Sequence, residues 1–306
     1  MAGHGSKLVQ VALTIIMDGL IDASWIFIVA VGLTLTLGVL HILNLAHGNF
    51  YAIGAYVAAT GVGWYYSGPR PAMLGLLVLF GAALVVAVAM GPLLEQLLFR
   101  RLYRSQESVV LLATYALSLI LEDATKLLWG TNPYFAYEPY SLFGNISIGG
   151  LSYVGYDIFL IGVAVVVGLL LWFGLNRTRG GKLVLSVIFD REMSSSVGID
   201  VQRIFVVAFT IGIFLGALGG VVTAPKISIQ PGLSVMVVLF SFAVVVIGGF
   251  GSIEGAAIAA IIVGLARSVA IHLAPWAEMF IVYLVLACVL AVRPQGIFPP
   301  AGLRKI

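Results

Sequence analysis

The stretch ASWIFIVAVGLTLTLGVL-HILNLAHGN-FYAIGAYVAATGV, residues 23–62, decides the fold, because a polar break divides two apolar segments within it. Ala23–Leu40 is almost wholly apolar, and Phe50–Val62 follows the break at once. The 18 residues of the first segment, at about 1.5 Å each, nearly cross a hydrocarbon core roughly 30 Å thick. We therefore expect the break at or inside a membrane surface, where polar backbone needs protein or a water-filled cavity around it. Its polar and small residues are His41, Asn44, His47, Gly48 and Asn49.

Composition indicates an all-α polytopic membrane protein. The 306 residues are 61% hydrophobic and only 9% charged, with a mean hydropathy of +1.12, whereas a soluble domain carries about 25% charged residues. Residues 1–306 are predicted to form a single transmembrane domain, in contact with membrane lipid. The net charge of +3 does not point to a nucleic-acid partner. The single cysteine, Cys288, is interpreted as a small core residue.

Eight to ten membrane segments are expected. Nine apolar runs can be distinguished: Ala23–Leu40, Phe50–Val62, Met73–Leu98, Val109–Leu128, Ile158–Phe173, Ile204–Val222, Met236–Ile247, Ala256–Val269 and Phe280–Val292. A tenth, short run, Leu8–Leu20, carries Asp18 and is interpreted as an interfacial or half-spanning helix.

Basic residues predict the orientation. Eleven of the sixteen lie in three clusters: Arg100, Arg101 and Arg104; Arg177, Arg179, Lys182, Arg191 and Arg203; Arg293, Arg304 and Lys305. The positive-inside rule places all three clusters in the cytoplasm. Nine crossings satisfy this assignment, with the N-terminus outside, the C-terminus cytoplasmic, and the first polar break close to the cytoplasmic side.

The first polar break is a candidate transport route. Asn44 and His47 share one face of a helix, and Gly48 permits close backbone approach. A helix that restarts here presents free N–H groups and a positive dipole end, which suits an anionic group. Asn44, His47, Gly48 and Tyr51 are therefore predicted to line or gate a solute path. A tight inter-helix turn at the cytoplasmic face, with Asn44 and His47 as caps, explains the pattern equally well.

A second break, Gly248–Gly255, lies in the other half of the chain. Paired interruptions in two halves point to a transporter repeat, so we predict a weak internal repeat in which this break is the counterpart of the first. The residues predicted to line or gate the path here are Gly248, Gly249, Gly251 and Ser252. An ordinary glycine-rich turn, with Ser252 as the cap of the next helix, is the alternative.

A charged segment within residues 177–203 is predicted to dock a partner on the cytoplasmic side. Its candidate coupling residues are Asp190, Arg191, Glu192, Ser195, Gly198 and Asp200. A solvated loop helix is the alternative. ATP is not expected to bind this chain, because a phosphate-binding loop needs G-x-x-x-x-G-K-[ST] and Leu183 follows Gly181-Lys182. No catalytic or metal site is predicted.

Intramembrane charge argues against a proton-driven carrier. Glu122 and Lys126 are interpreted as an i, i+4 pair near the outer end of their segment. A proton-driven carrier is expected to bury carboxylates in mid-bilayer, and none is predicted there.

Several motifs together resemble the LivH-type membrane permeases of branched-chain amino acid ABC importers, over roughly Ile16–Pro299. Residues 43–51, LNLAHGNFY, resemble that family's N-[FL]-A-H-G-E-x-Y segment, with Asn49 in place of the usual acid. Residues 246–256, VIGGFGSIEGA, resemble its LGG-x-GS-[IL]-PGA segment, with Glu254 in place of proline. Residues 293–298, RPQGIF, are similar to its C-terminal motif, and Glu192 and Gly198 keep the spacing of the importer EAA loop.

The resemblance implies a non-enzymatic permease subunit in the bacterial or archaeal inner membrane. A second permease subunit, related or identical, would complete the pore. Two ATP-binding subunits would carry ATP and Mg, and a periplasmic solute-binding protein would deliver a branched-chain amino acid or similar small polar solute. A coupling helix, Val187–Gly198, would seat in an ATPase. Two other functions stay open: a passive channel for a small neutral solute such as urea or an amide, and a membrane scaffold without a solute path.

Overall fold

The computed structural model describes residues 2–103 and 105–298. Three residues of the basic clusters, Arg104, Arg304 and Lys305, lie outside the described residues, as does Pro299.

Helices dominate the described chain. They are α1 (Ala2–Leu40), α2 (His47–Tyr66), α3 (Gly75–Leu94), α4 (Arg100–Leu102), α5 (Glu107–Trp129), α6 (Gly155–Arg177), α7 (Arg179–Phe189), α8 (Arg191–Ser196), α9 (Val201–Thr223), α10 (Leu233–Gly248), α11 (Ile253–Leu273) and α12 (Glu278–Val292). A π-helical turn, Glu95–Phe99, joins α3 to α4. An antiparallel hairpin of β1 (Asn145–Ile148) and β2 (Leu151–Val154) precedes α6.

The all-α polytopic class predicted from composition is confirmed. In the described part of the chain, six helical segments are long and apolar enough to cross a membrane: Val9–Leu40, Ala72–Leu102, Glu107–Trp129, Gly155–Arg177, Val201–Thr223 and Ile253–Leu273. The remaining three apolar runs lie in α2, α10 and α12. Leu8–Leu20 is not a separate interfacial or half-spanning helix, because it continues without interruption into α1.

Helices α1 and α9 form the centre of the fold and run antiparallel. The apolar window of α1 is 89% buried and that of α9 is 72% buried, whereas that of α6 is only 11% buried and lies at the periphery. The side chain of Val29 packs against Gly219, and Gly32 packs against Gly212. The bundle is therefore built around a central antiparallel pair that the other helices cover.

Glycines at every fourth position of α9 permit this close packing. Gly212 lies against the Gly32 carbonyl, Gly216 against the His47 ring, and Gly220 directly against the Tyr51 carbonyl. Interhelical contact in membranes relies on such small residues, because lipid gives no hydrophobic drive for helices to associate. The glycine stripe thus packs α9 against both α1 and α2.

The two ends of the bundle differ in chemistry. At the basic end, the Arg191 guanidinium lies 5.6 Å from the Tyr103 ring centroid and 4.7 Å from that of Phe205. At the opposite end, Arg267 bridges two carboxylates, Asp22 at 2.8 Å and Glu278. A further ion pair joins Lys226 to Asp157 at 2.8 Å there. This separation follows the distribution of charge along the sequence.

Cys288 is exposed on α12 rather than buried in the core. The segment that carries it faces outward from the bundle, so the interpretation of this residue as a core residue is wrong.

We expect Gly220→Ala to destabilise the fold by about 1–3 kcal/mol, because its methyl group overlaps the Tyr51 backbone carbonyl and the two helices must separate. Gly162→Ala on α6 is the matched control, since no atom lies within 4 Å of its new methyl group. Thermal melting of the purified protein in detergent measures both. Equal melting midpoints for the two variants would show that α2 and α9 do not pack as described.

Candidate functional site

The first polar break returns from the basic end to the interior of the bundle. Gly38, near the end of α1, contacts Gly251 at the basic end. After His41, whose φ is +55°, the chain runs back until α2 starts at His47. There the His47 Nε2 lies 3.1 Å from the carbonyl of Val29, eleven residues before α1 ends.

Contacts with α5 place the start of α2 near mid-membrane. The Asn49 Nδ2 donates to the Ser118 carbonyl at 3.1 Å, and the Ser118 hydroxyl donates to the Asn49 Oδ1 at 2.6 Å. Ser118 is the twelfth of the 23 residues of α5, hence its midpoint. The break therefore lies deeper than the cytoplasmic-side position expected from orientation. A tight turn at the membrane face is excluded.

Asn44 shapes the turn that starts α2. Its side-chain Oδ1 accepts from the Ala46 N–H at 3.1 Å, and its backbone carbonyl accepts from the His47 N–H at 3.2 Å. Asn44 and His47 are 2% and 1% exposed. Among the described residues, the Asn44 Nδ2 and the His47 Nδ1 have no hydrogen-bond partner. Such buried orphans are rare in native proteins and call for a functional or water-mediated explanation.

Tyr51 lies one turn further along α2. Its hydroxyl is 2.6 Å from the Thr223 hydroxyl at the end of α9, and its ring lies 5.9 Å from that of Trp25. Tyr51 is 3% exposed. It thus joins Asn44, His47 and Gly48 in one buried region.

A second intramembrane break, residues 224–232, separates α9 from α10. The segment is held by Lys226, which pairs with Asp157, and by Ile229, which forms a β-bridge with Tyr134. It ends where the Glu122 carboxylate accepts from the Gly232 N–H and from the Ser234 hydroxyl, both at 2.7 Å. Glu122 is the sixteenth of the 23 residues of α5. Helix α10 therefore also begins inside the membrane-spanning layer.

The two broken helices meet at their starts. Gly48 packs directly on the Ser234 carbonyl, and no side chain fits between them. From this contact α2 runs to the opposite end, whereas α10 runs to the basic end. Because α1 and α9 are antiparallel as well, α1–α2 and α9–α10 are related as an inverted pair. In this inverted arrangement the first break corresponds to residues 224–232.

The Gly248–Gly255 segment is not the counterpart of the first break. It forms a short turn at the basic end, where the Ser252 hydroxyl accepts from the Gly255 N–H at 3.0 Å and caps α11. Gly248 accepts from the Phe298 N–H at 3.1 Å, and Gly249 packs on the Phe298 carbonyl. The glycine-rich turn with a serine cap, the alternative interpretation, is therefore the one observed.

The two groups of predicted path residues thus occupy different places. Asn44, His47, Gly48 and Tyr51 lie at mid-depth, whereas Gly248, Gly249, Gly251 and Ser252 lie at the basic end. A cavity of about 860 Å³ opens at that end, lined in part by His41, Leu43, Phe242 and Gly251. Of the second group, Gly251 therefore lines a cavity at the basic end.

A polar stripe on α5 was missed in the sequence. Thr114, Ser118 and Glu122 recur every four residues along an otherwise apolar run. Thr114 donates to the Leu43 carbonyl at 3.2 Å, Ser118 pairs with Asn49, and Glu122 holds the start of α10. The i, i+4, i+8 spacing was the available signal, since it places all three on one helix face.

The interpretation of Glu122 and Lys126 as a pair is wrong. Lys126 pairs instead with Asp123 at 3.1 Å, which leaves Glu122 free to reach α10. The expectation that no carboxylate lies deep in the layer is also wrong, because Glu122 is only four residues from the α5 midpoint.

The predicted coupling segment forms two helices rather than one helix over Val187–Gly198. Asp190 has an extended backbone, φ −155°, which ends α7, and its side chain accepts from the Met193 N–H at 2.9 Å to cap α8. Gly198, with φ +85°, follows the end of α8, and Asp200 caps α9 through the Arg203 N–H at 3.1 Å. Glu192 and Ser195 are exposed on α8.

Arg191 connects this segment to the bundle. Its guanidinium packs over Tyr103, whose hydroxyl donates to the buried Glu95 carboxylate at 2.7 Å. Burial and the hydrogen bond to Glu95 raise the pKa of the Tyr103 hydroxyl, so that it stays protonated and remains a donor. Helix α8 is therefore in contact, through Arg191, with the end of the α3–α4 helix. A displacement of α8 would be transmitted directly to that helix.

Comparisons with known proteins show which proteins this chain is similar to. The family model described as "Branched-chain amino acid transport system / permease component" matches residues 15–290. The high-affinity branched-chain amino acid transport system permease protein BraD of Pseudomonas aeruginosa is 27% identical over 95% of this chain and 97% of its own length. The corresponding LivH of Escherichia coli is 25% identical over 94% and 96%. PsaBC from Streptococcus pneumoniae in complex with Fab is a solved structure with a TM-score of 0.43 and 15% identity, over 94% of this chain and 92% of that one.

Asn49→Asp tests the pairing that fixes the start of α2. The carboxylate cannot donate to the Ser118 carbonyl, and its oxygen faces the carbonyl oxygen instead. We therefore expect the free energy of unfolding to fall by about 1–3 kcal/mol. Asn145→Asp, in the exposed hairpin, is the control for the same chemical change. Thermal melting in detergent measures both variants, and an unchanged midpoint for Asn49→Asp would contradict the bond described.

Proposed function

The chain belongs to the family of permease components of branched-chain amino acid transport systems, and from that premise we propose that it moves a branched-chain amino acid, or a similar small polar solute, through an ABC importer. The family match over residues 15–290 carries this proposal. Membership of a family of transport components confirms that the chain is a permease rather than an enzyme. It is a multi-pass inner membrane protein, and we propose that its C-terminus is cytoplasmic, with the basic clusters.

We propose that the solute passes the meeting point of α2 and α10. Two helices that start inside the layer present polar groups where an unbroken helix presents none. Asn44, His47, Gly48 and Tyr51 then border the mid-depth part of the path. The cavity lined by Gly251 is the exit on the cytoplasmic side, and Gly248, Gly249 and Ser252 shape the turn that holds Gly251 there.

Energy is proposed to come from separate subunits. Two ATP-binding subunits dock on α8 and its flanks, through Asp190, Arg191, Glu192, Ser195, Gly198 and Asp200. ATP and Mg then bind those partners, and movement of α8 reaches the bundle through the Arg191–Tyr103 contact. A second permease subunit, related or identical, completes the pore, and a periplasmic solute-binding protein supplies the solute.

Reconstitution tests the proposed function. Proteoliposomes are prepared with the chain and its associated permease, ATPase and binding-protein subunits. They are expected to accumulate labelled leucine only when ATP is present on the side of the membrane that carries the ATPase subunits. Omission of the binding protein or the ATPases is expected to abolish uptake. Uptake that persists without ATP would instead identify a passive channel, and absence of any solute flux would favour a scaffold.

Glu192→Arg tests the docking segment. We expect it to abolish co-purification of the ATPase subunits, because it reverses the charge of an exposed α8 side chain. Glu138→Arg makes the same change on an exposed residue in the loop before β1 and is expected to leave the assembly intact. ATPase subunits that remain bound to the Glu192→Arg variant would show that α8 is not the docking site.

A further inference from the structure

Glu122 occupies an unusual position for a carboxylate. It lies about 6 Å past the midpoint of α5, half-buried and without a cationic partner among the described residues. The nearest ammonium on its own helix, that of Lys126, pairs with Asp123. An ionisable side chain at this depth faces a bundle interior or a water-filled cavity and marks a functional site by default.

The positive ends of two helices converge beside this carboxylate. Glu122 caps α10 through Gly232 and Ser234, and the same Ser234 supports Gly48 in the first turn of α2. Each helix start carries the equivalent of about half a positive charge. Two partial positive charges thus lie beside a carboxylate at a depth where an isolated charge would be costly.

Capping leaves Glu122 with unused capacity. An ionised carboxylate offers about four acceptor sites, and the two bonds to α10 occupy two of them. Gly232 beside it is exposed, with no atom within 4 Å of where a side chain would start, and Val235 is 59% exposed. The remaining acceptor sites are therefore open to a ligand that approaches along α10.

The two helices that Glu122 joins also border the cavity at the basic end. Val110 and Leu111 of α5 and Phe242 of α10 line that cavity. The polar stripe on α5 continues from the same region through Thr114 and Ser118 to Glu122. Glu122 therefore lies at the inner end of a polar helix face whose other end borders the cavity.

Orphaned polar atoms at the start of α2 give a further indication of a ligand. The Asn44 Nδ2, a donor, has no partner among the described residues. The His47 Nδ1 has none either, and it is an acceptor when the Nε2 donates to the Val29 carbonyl. Both side chains are at least nine-tenths buried. Unpaired groups of both kinds suit a solute that carries acceptors as well as donors.

We propose that Glu122 binds the ammonium group of the transported amino acid as it passes between α5 and α10. This rests on the proposed function, and it adds the group that distinguishes an α-amino acid from an uncharged or purely anionic solute. The aliphatic part of the solute lies against the exposed face of α10 at Val235. Glu122 is thus a solute-binding residue as well as a helix cap.

Neutralisation of the carboxylate separates binding from capping. Glu122→Gln keeps an oxygen that accepts from the Gly232 N–H, so we expect an unchanged melting midpoint. Leucine uptake in the reconstituted assembly is expected to fall at least about tenfold, because one charge-assisted hydrogen bond to the solute is lost. Glu122→Asp should restore part of the uptake. The control is Asp123→Asn on the adjacent exposed residue, with uptake near that of the wild type. Wild-type uptake by Glu122→Gln, or uptake and melting that fall together, would reduce Glu122 to a structural cap.

Thiol labelling tests access to the Glu122 position. In a Cys288→Ala background, Glu122→Cys is expected to react at least about tenfold faster with aminoethyl methanethiosulfonate than Ile120→Cys, which lies on the outward face of the same helix, because only the former meets water. Equal rates at both positions would overturn the proposal. Failure of the proposed function itself would appear separately, as absence of wild-type leucine uptake.

Discussion

The whole architecture depends on one constraint: a backbone N–H or carbonyl inside a bilayer must be satisfied by the protein or by enclosed water. Two breaks in the chain expose such groups at mid-depth, and each is satisfied by a particular side chain. Asn44 accepts from the first amide before α2 and fixes the turn. Glu122 accepts from the amide that precedes α10. The partner at the first break, Asn44, belongs to the break itself, whereas the partner at the second break, Glu122, comes from α5. Removal of α5 would therefore expose the start of α10.

The same constraint explains why glycine is placed where it is. Irregular backbone is tolerated in the layer only if neighbouring helices enclose it closely, and side chains would hold them apart. Gly216 and Gly220 allow α9 to touch the first two turns of α2, and Gly48 allows α2 to touch α10. Close packing at the glycines and the polar broken segments are therefore linked. The glycine contacts exclude lipid from the backbone N–H and carbonyl groups of the broken segments.

Much of this fold could be predicted from the sequence, although the depth of its elements could not. The nine apolar runs, the glycine stripe on α9, the cap at Ser252 and the polar character of Asn44–Gly48 all follow from local composition and spacing. The second broken segment was missed because Pro225 and Pro231–Gly232 read as an ordinary loop between two runs. Its partner, Glu122, is 110 residues away from Gly232, and helical spacing alone paired that carboxylate with Lys126. Local patterns carry no information on such distant pairs, and the length of a run does not show how far the chain re-enters.

The contact between Gly48 and Ser234 has a mechanical consequence. Helices α2 and α10 touch at their inner ends and extend to opposite faces of the bundle. A tilt of α10 at the basic end shifts Ser234, and the close contact with Gly48 leaves no space in which that shift could be absorbed. The inner end of α2 must then move with it, which swings its far end at Tyr66. Rearrangements on the two sides of the bilayer are thus coupled through the backbone contact between Gly48 and Ser234.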